Sequence, residues 1–123
     1  MSDRSYELRA MFDFQKLSVY QKALQFNKDI VPILSRLKDR TINDQMKRAS
    51  LSIVLNISEG TSRLSNRDKR RFLEIARGSA FECVSLLEYL NEKNVVSAED
   101  FSNYYNDLEQ ISKMLFGMIK KLD

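Results

Sequence analysis

The chain has 123 residues, 43% hydrophobic and 30% charged, with only 3 Gly and 1 Pro, which fits one domain with a substantial core and excludes a disordered or turn-rich chain. With no His and a single Cys, it lacks Ser-His and Cys-His nucleophile pairs, a zinc knot, an internal disulfide and the Glu-x-x-His ligands of a di-iron bundle. The net charge of +3 conceals an asymmetry, since residues 1–80 carry 16 basic and 9 acidic groups and residues 81–123 only 4 and 8.

Residues 1–15 show no sustained period and read as an N-terminal arm, with Met11, Phe12 and Phe14 available to tuck against the body formed by residues 16–123. Met1–Ala10 is mixed in charge, and no run of about 18 apolar residues follows, so a cytoplasmic chain without a membrane role is expected. Helix 1 is predicted from about Leu17 to Lys38, with Leu17, Tyr20, Leu24, Asn27, Val31 and Leu34 as its inward seam. Pro32 lies off that seam and predicts a kink or early stop. Helix 2 is predicted to start near Asn43 and stop at Gly60. Ser65 with Asp68, and Ser97 with Asp100, place capping pairs before helices 3 and 4. The seam of helix 4, from Phe101 through Tyr104, Leu108, Ile111, Leu115 and Met118 to Leu122, alternates spacings of three and four without a break. Short links between such helices predict an all-α, antiparallel up-down-up-down four-helix bundle.

Some apolar residues are left over from these seams. Val19, Phe26 and Ile33 recur every seven residues on a second line of helix 1, while Leu51, Ile53, Val54, Leu55 and Ile57 ring helix 2. An apolar helix must be covered on every side, so Val19, Phe26, Ile33, Leu51, Val54 and Leu55 are the expected interface of a homo-oligomer. The alternative is that helix 2 is simply the central element and that the arm covers helix 1. Asn27 and Asn56 interrupt apolar positions and are expected to be buried polar residues that fix register, or to share a polar site with Glu59 or Glu82.

A second candidate surface is basic. Arg63, Arg67, Lys69, Arg70, Arg71 and Arg77 fall within fifteen residues against Asp68 and Glu74. Cations near a helix N-terminus oppose its dipole, so helix stability does not explain them, whereas an anionic partner such as RNA or DNA would. A solvated face partly paired through Arg70 and Glu74 is the plainer reading. No glycine-rich phosphate loop, inward carboxylate pair or metal-ligand spacing is present, so neither an enzyme nor a cofactor is expected.

Three stretches, FQKLSVYQKAL from Phe14, QMKRASLSIVLNISEGTSR from Gln45 and FLEIARGSAFECVSLL from Phe72, resemble the bacterial four-helix proteins called 23S rRNA-intervening sequence proteins. Tyr20 stands where that family often has Trp. The resemblance implies a ring, typically a homopentamer, and no catalytic residue. Its motif positions here are Arg48, Asn56, Glu59, Gly60, Arg63, Arg77, Gly78, Ser79 and Glu82. A distant relative of similar fold binds a reverse transcriptase and nucleic acid, which supports the basic cluster, and the motif residue Arg48 is counted with the arginines expected to bind nucleic acid. Gly78, inside a helix, is expected to mark a close helix approach. Two functions remain open: a nucleic-acid accessory factor, and a protein-interaction scaffold with no nucleic-acid role.

Overall fold

The computed structural model describes residues 12–123, and among these the backbone forms four α-helices and one 3-10 turn, with no strand. The predicted arm falls largely on residues 1–11, including Met11, which lie outside the described residues. Its described part is the turn Asp13–Lys16, where the ring of Phe14 packs edge-on against Tyr20 at 4.9 Å.

Helix α1 spans Ser18–Leu34, and its end follows from Pro32. The proline withholds one backbone donor, and the helix closes within two residues. Two side chains then bond carbonyls of the last turn: the Ser35 hydroxyl donates to the Pro32 oxygen, and the Asn43 amide donates to the Leu34 oxygen at 2.8 Å beside the Leu37 backbone amide. Asn43 is therefore not the cap of the next helix. Helix α2, Arg40–Ser62, is capped by Asp39, whose carboxylate accepts from the Thr41 and Ile42 amides.

Gly60 does not end α2 but lies buried within it. A Cβ there would stand 3.2 Å from the Phe72 Cβ and 3.3 Å from the Lys69 carbonyl oxygen, so the missing side chain lets the next helix approach. Helix α3, Asn66–Glu92, starts at the Ser65 cap, and helix α4, Ala98–Lys120, at the Ser97 cap, each hydroxyl accepting an amide three residues on. Between them Asn94 adopts φ 58°, and the Val95 amide reaches back to the Leu90 carbonyl, closing α3 with a left-handed residue.

All four helices contribute to one apolar core. It holds Val19, Ala23, Phe26, Ile30 and Leu34 of α1, Met46, Ile53, Val54 and Ile57 of α2, Leu73, Ala80, Cys83 and Leu87 of α3, and Leu108, Ile111 and Leu115 of α4. Gly60 of α2 meets Phe72 of α3, and Ser52, two turns before Gly60, meets Ser79, two turns after Phe72, through hydroxyls 2.8 Å apart.

The core corrects the expected interface. Val19, Phe26 and Val54 are enclosed within the single chain, Phe26 being only 1% exposed with its ring edge-on to Tyr104, and Ile33 is half-buried. The expected inward seam of α1 is instead largely the half-buried flank, because the helix is rotated by about a quarter turn from that reading. Leu51 and Leu55 do remain outward, 44% and 55% exposed.

Candidate nucleic-acid interface

Arg63, Arg70 and Arg77 recur every seven residues, a spacing that predicts one row along an extended helix, but they do not form one. Helix α3 starts only at Asn66, so Arg63 belongs to the link that follows α2 and cannot continue the Arg70 and Arg77 row. Phe72 organises the first group. The guanidinium of Arg63 lies 4.6 Å and that of Arg71 5.2 Å from its ring centroid, so two cations share one aromatic side chain. Arg63 also pairs with Glu59 one turn back along the chain. Arg71 has no acidic partner among the described residues.

Beside them Arg67, Asp68, Arg70, Arg71 and Glu74 line a wide, shallow depression at the start of α3. Arg70 turns to Asp123 beyond α4 rather than to Glu74, four residues along its own helix. Arg67 is exposed and unpaired among the described residues. Lys69 is diverted, its ammonium donating to the Thr61 carbonyl at 3.3 Å and so helping to close α2.

Arg77 lies on the side of α3 that faces α4. Its guanidinium is 4.7 Å from the Phe81 centroid and 5.2 Å from that of Phe116, and its buried Nε finds no hydrogen-bond partner among the described residues. Arg48 is exposed but remote, since it lies twelve positions before Gly60 along α2, about 18 Å of helix. The structure therefore gathers Arg63, Arg67, Arg70 and Arg71 at the α2–α3 corner, and leaves Arg77 and Arg48 apart. The charge pattern alone does not disclose the aromatics beneath the guanidinium groups, although Arg71 next to Phe72 and Arg77 four residues before Phe81 are visible neighbours in the sequence, and the second spacing brings side chains together on a helix.

The polar residues also need correction. Glu59 and Glu82 are exposed, so neither contributes to a buried polar site. Asn27 and Asn56 are half-buried: Asn27 donates to the Ser50 hydroxyl at 2.8 Å, and Asn56 to the carbonyl and hydroxyl of Ser52. Each amide thus has an acceptor, which offsets the cost of burying a polar group.

Chemistry at other groups is limited. No cluster of three or more His, Cys, Asp or Glu suited to a metal occurs among the described residues, and no described helix is long and apolar enough to cross a membrane. Burial, and then the nearby Glu82 charge, push the Cys83 thiol up to about 12, so the nucleophilic thiolate is scarce at neutral pH. A chromogenic disulfide reagent at pH 8 is expected to modify Cys83 only as fast as the protein opens, and at once in denaturant. Rapid reaction of the folded protein would contradict this burial. Burial likewise raises Asp107 and Tyr104; Lys22 opposes the shift at Asp107 and Asp29 adds to it, while at Tyr104 the nearby Asp100 adds to the effect of burial.

No curated protein matches the chain. Among solved structures, a protein with unknown function from the S23 ribosomal protein family of Bacteroides thetaiotaomicron is similar at a TM-score of 0.76 and 30% identity, covering 83% of this chain and 95% of that one. The family model described as 23S rRNA-intervening sequence protein matches residues 15–117. With that match spanning four helices packed on one core, the chain belongs to the family of 23S rRNA-intervening sequence proteins.

Proposed function

We propose that the protein is a non-enzymatic, up-down-up-down helical protomer of a ring-forming homo-oligomer, which presents the α2–α3 corner to the phosphates of RNA or DNA in the cytoplasm. The observation that carries the nucleic-acid role is the sharing of Phe72 by Arg63 and Arg71. The ring holds both guanidinium groups at one corner, and because Arg63 is paired with Glu59 while Arg71 has no acidic partner among the described residues, an anion there would meet the uncompensated charge of Arg71. Arg67 adds a third cation on the same corner. The crosswise pairing of Gly60 with Phe72 and Ser52 with Ser79 supports the alternating helix directions. The exposure of Leu51 and Leu55 supports self-association through α2, and it favours a docked partner protein as the second reading.

Contacts of this kind position a polyanion without reading its bases, so affinity is expected to fall steeply with salt. Replacing Arg67 and Arg71 together by Ala is expected to weaken binding to duplex RNA and DNA alike, and to reduce the slope of log K against log salt by about 2. Anisotropy titrations over a salt series check this. An unchanged slope, or no binding by the parent chain at low salt, defeats the nucleic-acid reading and leaves the partner-protein one.

A further inference from the structure

Between α3 and α4 lies an open cleft of about 270 Å³ that shares only Glu74 with the arginine corner, lined by Glu74, Arg77, Gly78, Phe81, Phe116 and Ile119. Its α3 wall is a single face of the helix, because Glu74, Arg77, Gly78 and Phe81 recur at spacings of three and four. Phe81 and Phe116 are 53% and 49% exposed, which is unusual for two large rings on one surface, and each already carries a cation. Arg77 stands between both rings, and the Lys120 ammonium lies 5.7 Å from the Phe116 centroid.

Gly78, the expected point of a close helix approach, has nothing within 4 Å of where its Cβ would be. The glycine thus keeps an opening in the wall rather than a contact. Its cost in helix propensity is not offset by packing inside the protomer.

From these features we infer that the α3–α4 cleft takes one unpaired nucleobase of a single strand, stacked on the face of Phe81 away from Arg77 beside the Gly78 opening, with its phosphate held by Arg77 and Lys120. This deepens, and rests on, the polyanion reading given above. The volume is slightly below the range of roughly 300–1,000 Å³ typical of drug-sized ligands, which suits a single ring system and its sugar. Charge complementarity points to the same occupant, because a nucleotide joins an aromatic face to an anion, matching rings that carry cations. Glu74, the one carboxylate in the lining, repels phosphate but accepts hydrogen bonds from exocyclic amino groups. The cleft should therefore favour cytosine over uracil.

The test uses the full chain, with fluorescein-labelled ten-residue oligo(rC), oligo(dC) and oligo(rU) and a duplex of equal length, at low salt. Phe81→Ala is expected to weaken single-strand binding by about 5- to 100-fold while leaving duplex binding unchanged. Gly78→Leu should block the same site by filling the opening, with a melting temperature equal to or above that of the parent, so that loss of binding is not loss of fold. Because the chain has no Trp, Phe81→Trp supplies a single indole whose fluorescence, excited beyond the absorption of the tyrosines, should be quenched when a base stacks on it. Equal affinity for oligo(rC) and oligo(dC) supports recognition of base and phosphate alone, and a preference for oligo(rC) supports an added sugar contact. If the Ala and Leu variants bind single strands like the parent, or the Trp signal does not change at saturation, the cleft is not a base site even though duplex binding persists. If the parent binds neither strand form, the inference falls together with the polyanion reading.

Discussion

Phe26→Ala is expected to lower the unfolding free energy by about 3–5 kcal/mol and the melting temperature by roughly 10–20 °C. Phe26 is enclosed within the chain with its ring edge-on to Tyr104 at 6.0 Å, so truncation loses the buried apolar area, the aromatic contact and the packing of the space left behind. Leu55→Asp makes the contrasting case, since Leu55 is outward on α2. It is expected to leave the unfolding of the isolated protomer within about 0.5 kcal/mol of the parent, but to lower the mass measured by light scattering coupled to size exclusion. Thermal melts and mass together separate core from interface. A mild Phe26→Ala and a strongly destabilising Leu55→Asp would reverse the assignment of the α1 and α2 faces.

Gly60 of α2 and Gly78 of α3 are expected to respond with opposite signs. At Gly60 the new Cβ would press on the Phe72 Cβ and on the Lys69 carbonyl, both fixed to the α3 backbone, so α3 would have to move as a unit. Gly60→Leu gains about 1 kcal/mol of helix propensity but overpacks the contact, and a net loss of about 2 kcal/mol is expected. At Gly78 the space is open, and Gly78→Ala is expected to gain up to about 1 kcal/mol. Urea titrations with unchanged m-values check both. Stabilisation by both substitutions would mean that α2 and α3 are not held together at Gly60.

The same contrasts separate what is legible in the sequence from what is not. The seam of α4 can be read directly because its other face is largely polar; Leu108, Ile111 and Leu115 are buried, and Phe101, Tyr104, Met118 and Leu122 pack around them. Helix α1 offers two apolar lines of the same period, and periodicity alone cannot choose between lines of equal strength. The line that carries Ala23 and Ile30 faces the core, which places Phe26 inside and moves Leu24 and Val31 to the flank. Asn43 has the residue type of a helix cap, but its amide serves the end of α1 nine residues earlier. The basic cluster is visible as a count of charges. Its division into an α2–α3 corner and an α3–α4 cleft is not, because that depends on which neighbouring helix supplies Phe116, Asp123 or the end of α2.

By itself the amino-acid order determined the helical class, the starts of α1, α3 and α4, and a break in regular helix at Pro32, though not whether it would be a kink or an end. These are local properties, set by side chains within about one turn of each other. Only the tertiary structure decided which face of α1 is inside, that Gly60 is a contact and Gly78 an opening, and which arginines are paired, stacked or free. Those outcomes depend on atoms from other helices, whose rotation and approach are fixed by the joint packing of all four around one core.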